Sequence, residues 1–411
     1  MSARPVSDAV LQATVNIFAE HGNNQAHAAA ALNIGRRTLQ ERLMAAKKRG
    51  IAPGGKGDPD DVQALKAKVK RLETELKGRE KEADQAEIIK SVIGGMARKV
   101  EALDPPKWIV KPSTTVSAPG VPTLFLSDWH GGERVSPAQI NGVNEYSVAI
   151  MHERAHTLVD SAVHLLKIIS PQMMYPGIVV PLGGDMISGN IHDELTATNE
   201  MNSMPAVEDL YTVLVGVIKA LADRLGNVFL PCVTGNHGRN TKKIWHKDRH
   251  ATSFDWLLYR FLALYFADDR RVTFYIPDGI AAHYKIYGYR YRLAHGDKLG
   301  KGGDGIIGAV GPIIRGDLRT RSRDAQIDLG YDTQLVAHFH QYWHLGRVIV
   351  NGSLKGYDEL AMNEGYAFEQ PQQALWLTHP KYGITYRMPV YVDRKRAPAE
   401  TAWVSVPKTI H

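Results

Sequence analysis

From Val6 to Ala19 the apolar residues Val6, Val10, Ala13 and Ile17 recur at helical spacing, which predicts a first helix. Gly22-Asn23-Asn24 interrupts it, and Asn24 stands where a side-chain oxygen can cap a second helix running through Ala26 to Leu32. Asn33 follows at a sharp turn that needs a left-handed residue, a conformation asparagine tolerates. A third helix opens at Gly35, with Leu39 and Leu43 four apart for a core and Arg36, Arg37 and Gln40 facing outward. Residues 50–60 are rich in glycine and proline and read as a linker. Val62, Leu65, Val69, Leu72 and Leu76 then step by three and four. The stepping resumes at Ile89, Ile93, Met96, Val100 and Leu103 until Pro105-Pro106 stops it. That stretch reads either as a coiled-coil seam or as one amphipathic helix packed on the body. From Val121 onward short apolar runs alternate with helical stretches, an α/β pattern.

Composition narrows the class. A chain of 411 residues exceeds one average domain, and 44% hydrophobic with 23% charged residues excludes wholesale disorder. The single cysteine, Cys232, excludes a disulfide-built secreted protein, so a cytoplasmic setting is expected. The first residues lack a basic-then-apolar leader, and no apolar run is long enough to span a bilayer, so no membrane role is expected. The net charge of +7 is unevenly spread: residues 1–57 carry eight basic side chains against three acidic ones. The excess therefore marks a basic module ahead of a nearly neutral body.

Helix, tight turn, then a helix rich in Arg, Gln and Thr is the helix-turn-helix arrangement, whose second helix enters the major groove of DNA. Arg36, Arg37, Thr38, Gln40 and Arg42 are the candidate DNA contacts. The other reading of this module is a helical oligomerisation cap with a solvated basic face. The segment NQAHAAAALNIGRRTLQERL resembles the Fis-type helix-turn-helix, with Asn33 where that family usually has glycine. A coiled coil over 61–104 would make the protein a homodimer and pair two such readers.

Five apolar runs of the body end in polar clusters: TLFLSDWHGG, IVVPLGGDMISG, VFLPCVTGNHGR, YRYRLAHGDK and TQLVAHFHQY. They place Asp128, His130, Asp185, Asn236, His237, His295, His338 and His340 at the C-terminal ends of strands, where α/β loops gather their sites. In Asp128-x-His130 and in His338-x-His340, residues i and i+2 of an extended segment would turn toward one ion. A carboxylate such as Asp185 can bridge two cations about 3.5–4 Å apart, a spacing suited to phosphoryl transfer. Imidazole, carboxylate and amide oxygen together favour Mn²⁺, Fe²⁺ or Zn²⁺ over Mg²⁺ or Ca²⁺.

D-x-H, G-D, G-N-H, a later single His and H-x-H, in that order, resemble the calcineurin-like metallophosphoesterase superfamily over roughly residues 120–355. The stretches GNHGRNTKK, WLLYRFLALYF, HGDKLGKGGDGIIGA and VNGSLKGYDE are most similar to SbcD-type DNA-repair nucleases and bacteriophage phosphoesterases. The resemblance implies a calcineurin-like β-sandwich flanked by helices. It implies one metal on Asp128, His130, Asp185 and His340, and a second on Asp185, Asn236, His295 and His338, with Mn²⁺ first among the candidates. His237 would touch the scissile phosphate and protonate the leaving oxygen, and a metal-bridged hydroxide would attack. Many relatives follow G-N-H with Asp or Glu; here Gly238-Arg239 stands instead, so an orienting carboxylate must come from elsewhere or Arg239 binds phosphate.

Arg239, Lys242 and Lys243 directly follow the G-N-H loop and are candidate substrate contacts, or ordinary solvated charges. Arg315, Arg319, Arg321 and Arg323 could line a DNA groove, with a solvated helix face as the plainer reading; Trp129 could stack on a base or pack beneath its loop. The expected organisation is a helix-turn-helix over 1–52, a linker over 53–60, a helical spacer over 61–104, a catalytic domain over 118–393 and a tail over 394–411. The expected function is DNA phosphodiester hydrolysis, exonuclease-like, targeted by the N-terminal module. A phosphodiesterase for a small nucleotide or phosphoprotein, and a DNA-binding regulator with an inactive body, are the alternatives. The superfamily supports all these substrates, so the metal pattern does not choose between the two enzymes, whereas the presence of every expected ligand type speaks against an inactive body.

Overall fold

The computed structural model describes residues 6–54, 106–110, 119–299 and 310–393. The expected spacer, the C-terminal tail and most of the linker lie outside these residues. The chain divides into two compact units, Met1–Val92 and Ile93–His411.

The N-terminal unit holds α1 (Asp8–Glu20), α2 (Gln25–Ala31) and α3 (Arg36–Lys48). Asn24 caps α2 by accepting from the backbone N–H groups of Ala26 (2.9 Å) and His27 (3.3 Å). Asn33 takes the left-handed conformation (φ 52°) between α2 and α3, so the tight turn forms without glycine. The residues whose spacing predicts this helix are not the ones that form its core face. Val6, Val10 and Ala13 are exposed, and the buried positions are Leu11, Thr14 and Val15. Bulk decides the rotation: Leu11 and Val15 bury more apolar surface than Val10 and Ala13, and they meet Ala46 of α3. Leu39 of α3 packs fully buried against Ala28 and Ala29 of α2, where only small residues let the two helices approach.

In the C-terminal unit, eleven strands are described, in two sheets. They are β1 (Val121–Leu124), β2 (Ile178–Val179), β3 (Val228–Pro231), β4 (Val272–Tyr275), β5 (Ala281–Ile286), β6 (Tyr289–Ala294), β7 (Thr333–Val336), β8 (Trp343–His344), β9 (Val348–Val350), β10 (Gln372–His379) and β11 (Gly383–Tyr391). The first sheet runs β11-β10-β1-β2-β3-β4 and the second β5-β6-β7-β9-β8. The two sheets face each other across Val121, Phe125, Val179 and Phe229 on one side and Tyr284, Leu293, Leu335 and Ile349 on the other. Asn351 ties them by donating to the Phe125 carbonyl (3.0 Å) and accepting from the Ala374 N–H (2.8 Å).

Before β1, the single turn α4 (Lys107–Val110) buries Ile109 in that same core, so this unit extends N-terminally of residue 118. Helices α5 (Val148–Ile169), α6 (Asp193–Thr198), α7 (Ser203–Leu225) and α8 (Phe254–Tyr265) follow, and α5, α7 and α8 cover the outer face of the first sheet. On α5 the buried positions Met151, Ala155, Leu158, Ala162 and Leu166 recur every three to four residues, which is why this stretch is a surface helix with one wet face. Helix α9 (Val310–Ala325) covers the second sheet through Ile313. Helix α10 (Glu359–Asn363) and then β10 and β11 follow Tyr357, and β11 forms the edge of the first sheet. The layers are helix, sheet, sheet, helix. Among the described residues no helix is long and apolar enough to cross a membrane.

Parallel pairing sets the position of the site. β1, β2 and β3 run parallel side by side, as do β6, β7 and β9. Their C-terminal ends therefore release six loops on one side of the unit, those after β1, β2, β3, β6 and β7 carrying the candidate ligands, and the sheet-to-sheet packing brings the two sets together.

Candidate metal centre

Asp128 and His130 follow β1, Asp185 follows β2, Asn236 follows β3, His295 follows β6, and His338 and His340 follow β7. They assemble into two adjoining groups, Asp128 with His130 and His340, and Asp185 with His295 and His338. Within each group the ligand atoms lie within 4.8 Å of one another. Asn236 joins the second, its Oδ1 lying 3.1 Å from His295 Nε2.

The local backbone differs from the extended geometry expected of the D-x-H and H-x-H segments. Asp128, His130, Asp185, His338 and His340 are all left-handed, with φ between 50° and 73°. Such a conformation costs a non-glycine residue of order 1–3 kcal/mol, so the surroundings must enforce it. They do so by lacing loop to loop: Asp128 N donates to Gly184 O (3.1 Å), His130 N to Asp185 O (3.1 Å) and Gly131 N to Met186 O (2.8 Å). The turn between His338 and His340 also sends the two imidazoles to different groups rather than to one ion.

The donor set suits cations. His130 Nε2 and His340 Nε2 face each other at 3.1 Å, with Asp128 Oδ1 3.5 Å from His340. One N–H shared between the two rings satisfies both nitrogens, and a cation between them would do the same once that hydrogen is lost. Burial holds His130 and His338 down to about 4, so their lone pairs are free at neutral pH. Burial opposes ionisation of Asp128, but hydrogen bonding and charge from His340 outweigh it and keep its carboxyl low. Burial also disfavours a charged His295, but Asp185 at 2.9 Å holds its imidazole up at about 10. In the metal-free chain that proton stands where a cation would balance the carboxylates.

His237 donates its backbone N–H to Asp185 Oδ1 (2.6 Å), and its ring packs edge-on against His130 at 4.6 Å between centroids. Its Nδ1 lies 2.9 Å from the Ser188 carbonyl, which can only accept, so Nδ1 carries the hydrogen and Nε2 is the free nitrogen. Burial lowers its pKa.

The absent carboxylate after G-N-H has a structural account. A Cβ on Gly238 would sit 2.9 Å from the Asp255 carboxyl carbon. Asp255, in the first turn of α8, is fully buried and accepts from Asp185 N (3.0 Å), Gly235 N (2.8 Å) and Met186 N (3.1 Å). It joins the Asp185 and Asn236 loops. Burial, then the charge of Asp185, push its carboxyl up to about 6. A second support lies behind His130. Its Nδ1 is 3.3 Å from Glu133 Oε2, Glu133 Oε1 is 2.7 Å from Lys355 Nζ, and Lys355 also pairs with Asp358. The sequence singled out neither Asp255 nor Glu133. Their signal was weak: lone acidic residues in otherwise apolar or glycine-rich segments.

The other candidates divide. Arg239 is half-buried beside Asn236, while Lys242 and Lys243 are exposed. Trp129 is fully buried and packs; it is no stacking platform. On α9, Arg321 pairs with Asp317, Arg323 with Asp324, and Arg319 donates to Leu299 O, so three of the four arginines are engaged within the fold. On α3, Arg36, Arg37, Thr38 and Gln40 are exposed and Arg42 is half-buried. Arg37 pairs with Glu41 (3.2 Å), and Gln40 donates to Gln25 (2.9 Å).

Comparison with known proteins finds residues 16–45 similar to the family described as Bacterial regulatory protein, Fis family. Among curated proteins no match to the chain is found. The matched segment runs from the second half of α1 into α3, so the N-terminal unit carries a Fis-type helix-turn-helix, an arrangement that binds DNA.

Proposed function

We infer that the C-terminal unit is a dinuclear-metal phosphodiesterase of the calcineurin-like type that hydrolyses DNA, directed to it by the N-terminal helix-turn-helix. One observation carries the reading: two Asp/His groups adjoin at the ends of five parallel-strand loops, with Asp185 in one and hydrogen-bonded to the backbone of His237. Asp128, His130, Asp185 and His340 would hold one cation, and Asp185, Asn236, His295 and His338 the other. When bound, the pair supplies charge neutralisation to a phosphodiester and acidifies water toward neutrality.

The chain's own groups do the rest. Asp255 and Glu133 fix the loops and the imidazole that must not move. His237, with its Nδ1–H held by the Ser188 carbonyl, leaves Nε2 open to take up a proton and, as the imidazolium, to hand that proton to the leaving oxygen. Its lowered pKa makes the imidazolium a readier donor. Arg239 offers a guanidinium to a phosphate of the bound strand. A tethered helix-turn-helix raises the effective concentration of DNA at the body.

The test is a substrate comparison with variants. In Mn²⁺, wild type cleaves linear DNA; His237→Ala retains both metals and turns over slowly. Loss of metal in that variant contradicts its assignment. Hydrolysis of bis(p-nitrophenyl) phosphate with DNA left intact turns the reading toward a small-molecule phosphodiesterase.

A further inference from the structure

A cavity beside the candidate metal centre is lined by Asn236, Arg239, Ile244, Trp245, Arg249 and Thr252, among others. The cleft itself is shallow, but three features of the surface around it point to a ligand. Trp245 is 52% exposed and belongs to none of the apolar core clusters, so the fold does not use its large ring. Arg239 is pinned, its Nη1 donating to Asn236 O (2.8 Å) and its Nε to Thr241 O (3.1 Å), while Nη2 has no partner among the described residues. Around them Lys242, Lys243 and Lys247 are exposed, and Asp248 is the one carboxylate of residues 238–249. Arg249 is already engaged, with Asp297 (3.1 Å) and the Gly235 carbonyl (3.2 Å), so it shapes the cavity rather than meeting a ligand.

We propose that the nucleoside next to the phosphate at the metal centre lies over this cleft, with exposed Trp245 stacked on an unpaired base and Arg239 Nη2 bonded to the flanking phosphate. The proposal rests on the phosphodiesterase reading and deepens it by naming the substrate as single-stranded or frayed nucleic acid. Stacking selects for that state, because the faces of a paired base inside a duplex are covered by its neighbours. A flat indole accepts any base, so the site reads no sequence. A guanidinium with two of its nitrogens fixed on carbonyls loses little freedom when the third meets a phosphate.

The test uses the full chain in EDTA and two probes of equal charge, trithymidylate and its abasic trimer. Neither probe offers a major groove to α3. Stacking on one base predicts that wild type binds trithymidylate about tenfold to hundredfold more tightly than the abasic trimer. Trithymidylate also quenches tryptophan fluorescence. Trp245→Ala removes that preference and the quench while binding the abasic trimer as before, and Trp245→Phe keeps most of the preference without the quench. An unchanged preference in Trp245→Ala, or no preference in wild type, overturns the proposal. If wild type discriminates for the base yet leaves the oligonucleotide intact in Mn²⁺, the phosphodiesterase reading fails and the base site stands.

Discussion

Removing the Lys355 ammonium is the sharpest perturbation available near the site. Lys355 is buried between Glu133 (2.7 Å) and Asp358 (2.5 Å), with its pKa raised by both carboxylates against the pull of burial. Both carboxyls are held below their ordinary values, chiefly by Lys355 working against burial. The signs fix a pH window. The carboxylates contribute stability that is present above their unfolded values near 4 and lost below them, and the lysine contributes stability that is lost above its unfolded value near 10. The network therefore stabilises fully between about pH 5 and 10. In Lys355→Met two buried carboxylates lose their cation, which costs about 3–5 kcal/mol. For a unit of this size that corresponds to a fall of about 10 °C in the melting temperature at pH 8. Unpaired buried carboxylates bind protons more tightly when folded, so acidification to pH 5 narrows the gap to wild type. The triple variant Lys355→Met/Glu133→Gln/Asp358→Asn recovers most of the loss. Thermal unfolding of the metal-free protein across pH 5–8 checks this. A gap that is absent at pH 8, or that widens on acidification, refutes the reasoning.

Other outcomes follow from the same geometry. Asp255→Asn leaves at least one of three buried N–H donors without an acceptor, and weakens metal binding about 10–100-fold, measured by competition with a chelating dye. Gly184→Ala puts a Cβ 2.2 Å from the Gly235 nitrogen at φ 87°, where no side chain can swing away; it yields protein that is unfolded or lacks metal, seen by circular dichroism and metal analysis. Arg36→Ala with Arg37→Ala weakens duplex binding by the full chain and flattens the slope of log affinity against log salt by about 0.9 for each phosphate no longer neutralised, leaving hydrolysis of a small diester unchanged.

Much of this was legible in the order of residues. Apolar runs followed by Asp, His and Asn located the strand ends, and all seven candidate ligands come together in the fold. Asn24 and Asn33 marked the cap and turn of the N-terminal helices because their side chains do local work that depends on no distant partner. What the sequence concealed depends on long-range packing. The left-handed backbone at Asp128 and His340 follows from loops zipped to one another, and alternation along a strand could not anticipate it. Asp255 lies twenty residues from the Gly235 amide it accepts, and Lys355 lies more than two hundred residues from Glu133. The buried face of α1 is not legible from spacing alone, because helical spacing fits several overlapping stripes and only the packing of α3 against Leu11 and Val15 selects one.

The measurement that bears most directly on the central claim is digestion of end-labelled linear DNA by the purified full chain, with and without Mn²⁺, beside Asp185→Asn. The account predicts cleavage in Mn²⁺ that chelator abolishes and that Asp185→Asn lacks, together with its metal. Cleavage that survives chelation or the Asp185 substitution, or intact DNA in the presence of two bound metals, would contradict it.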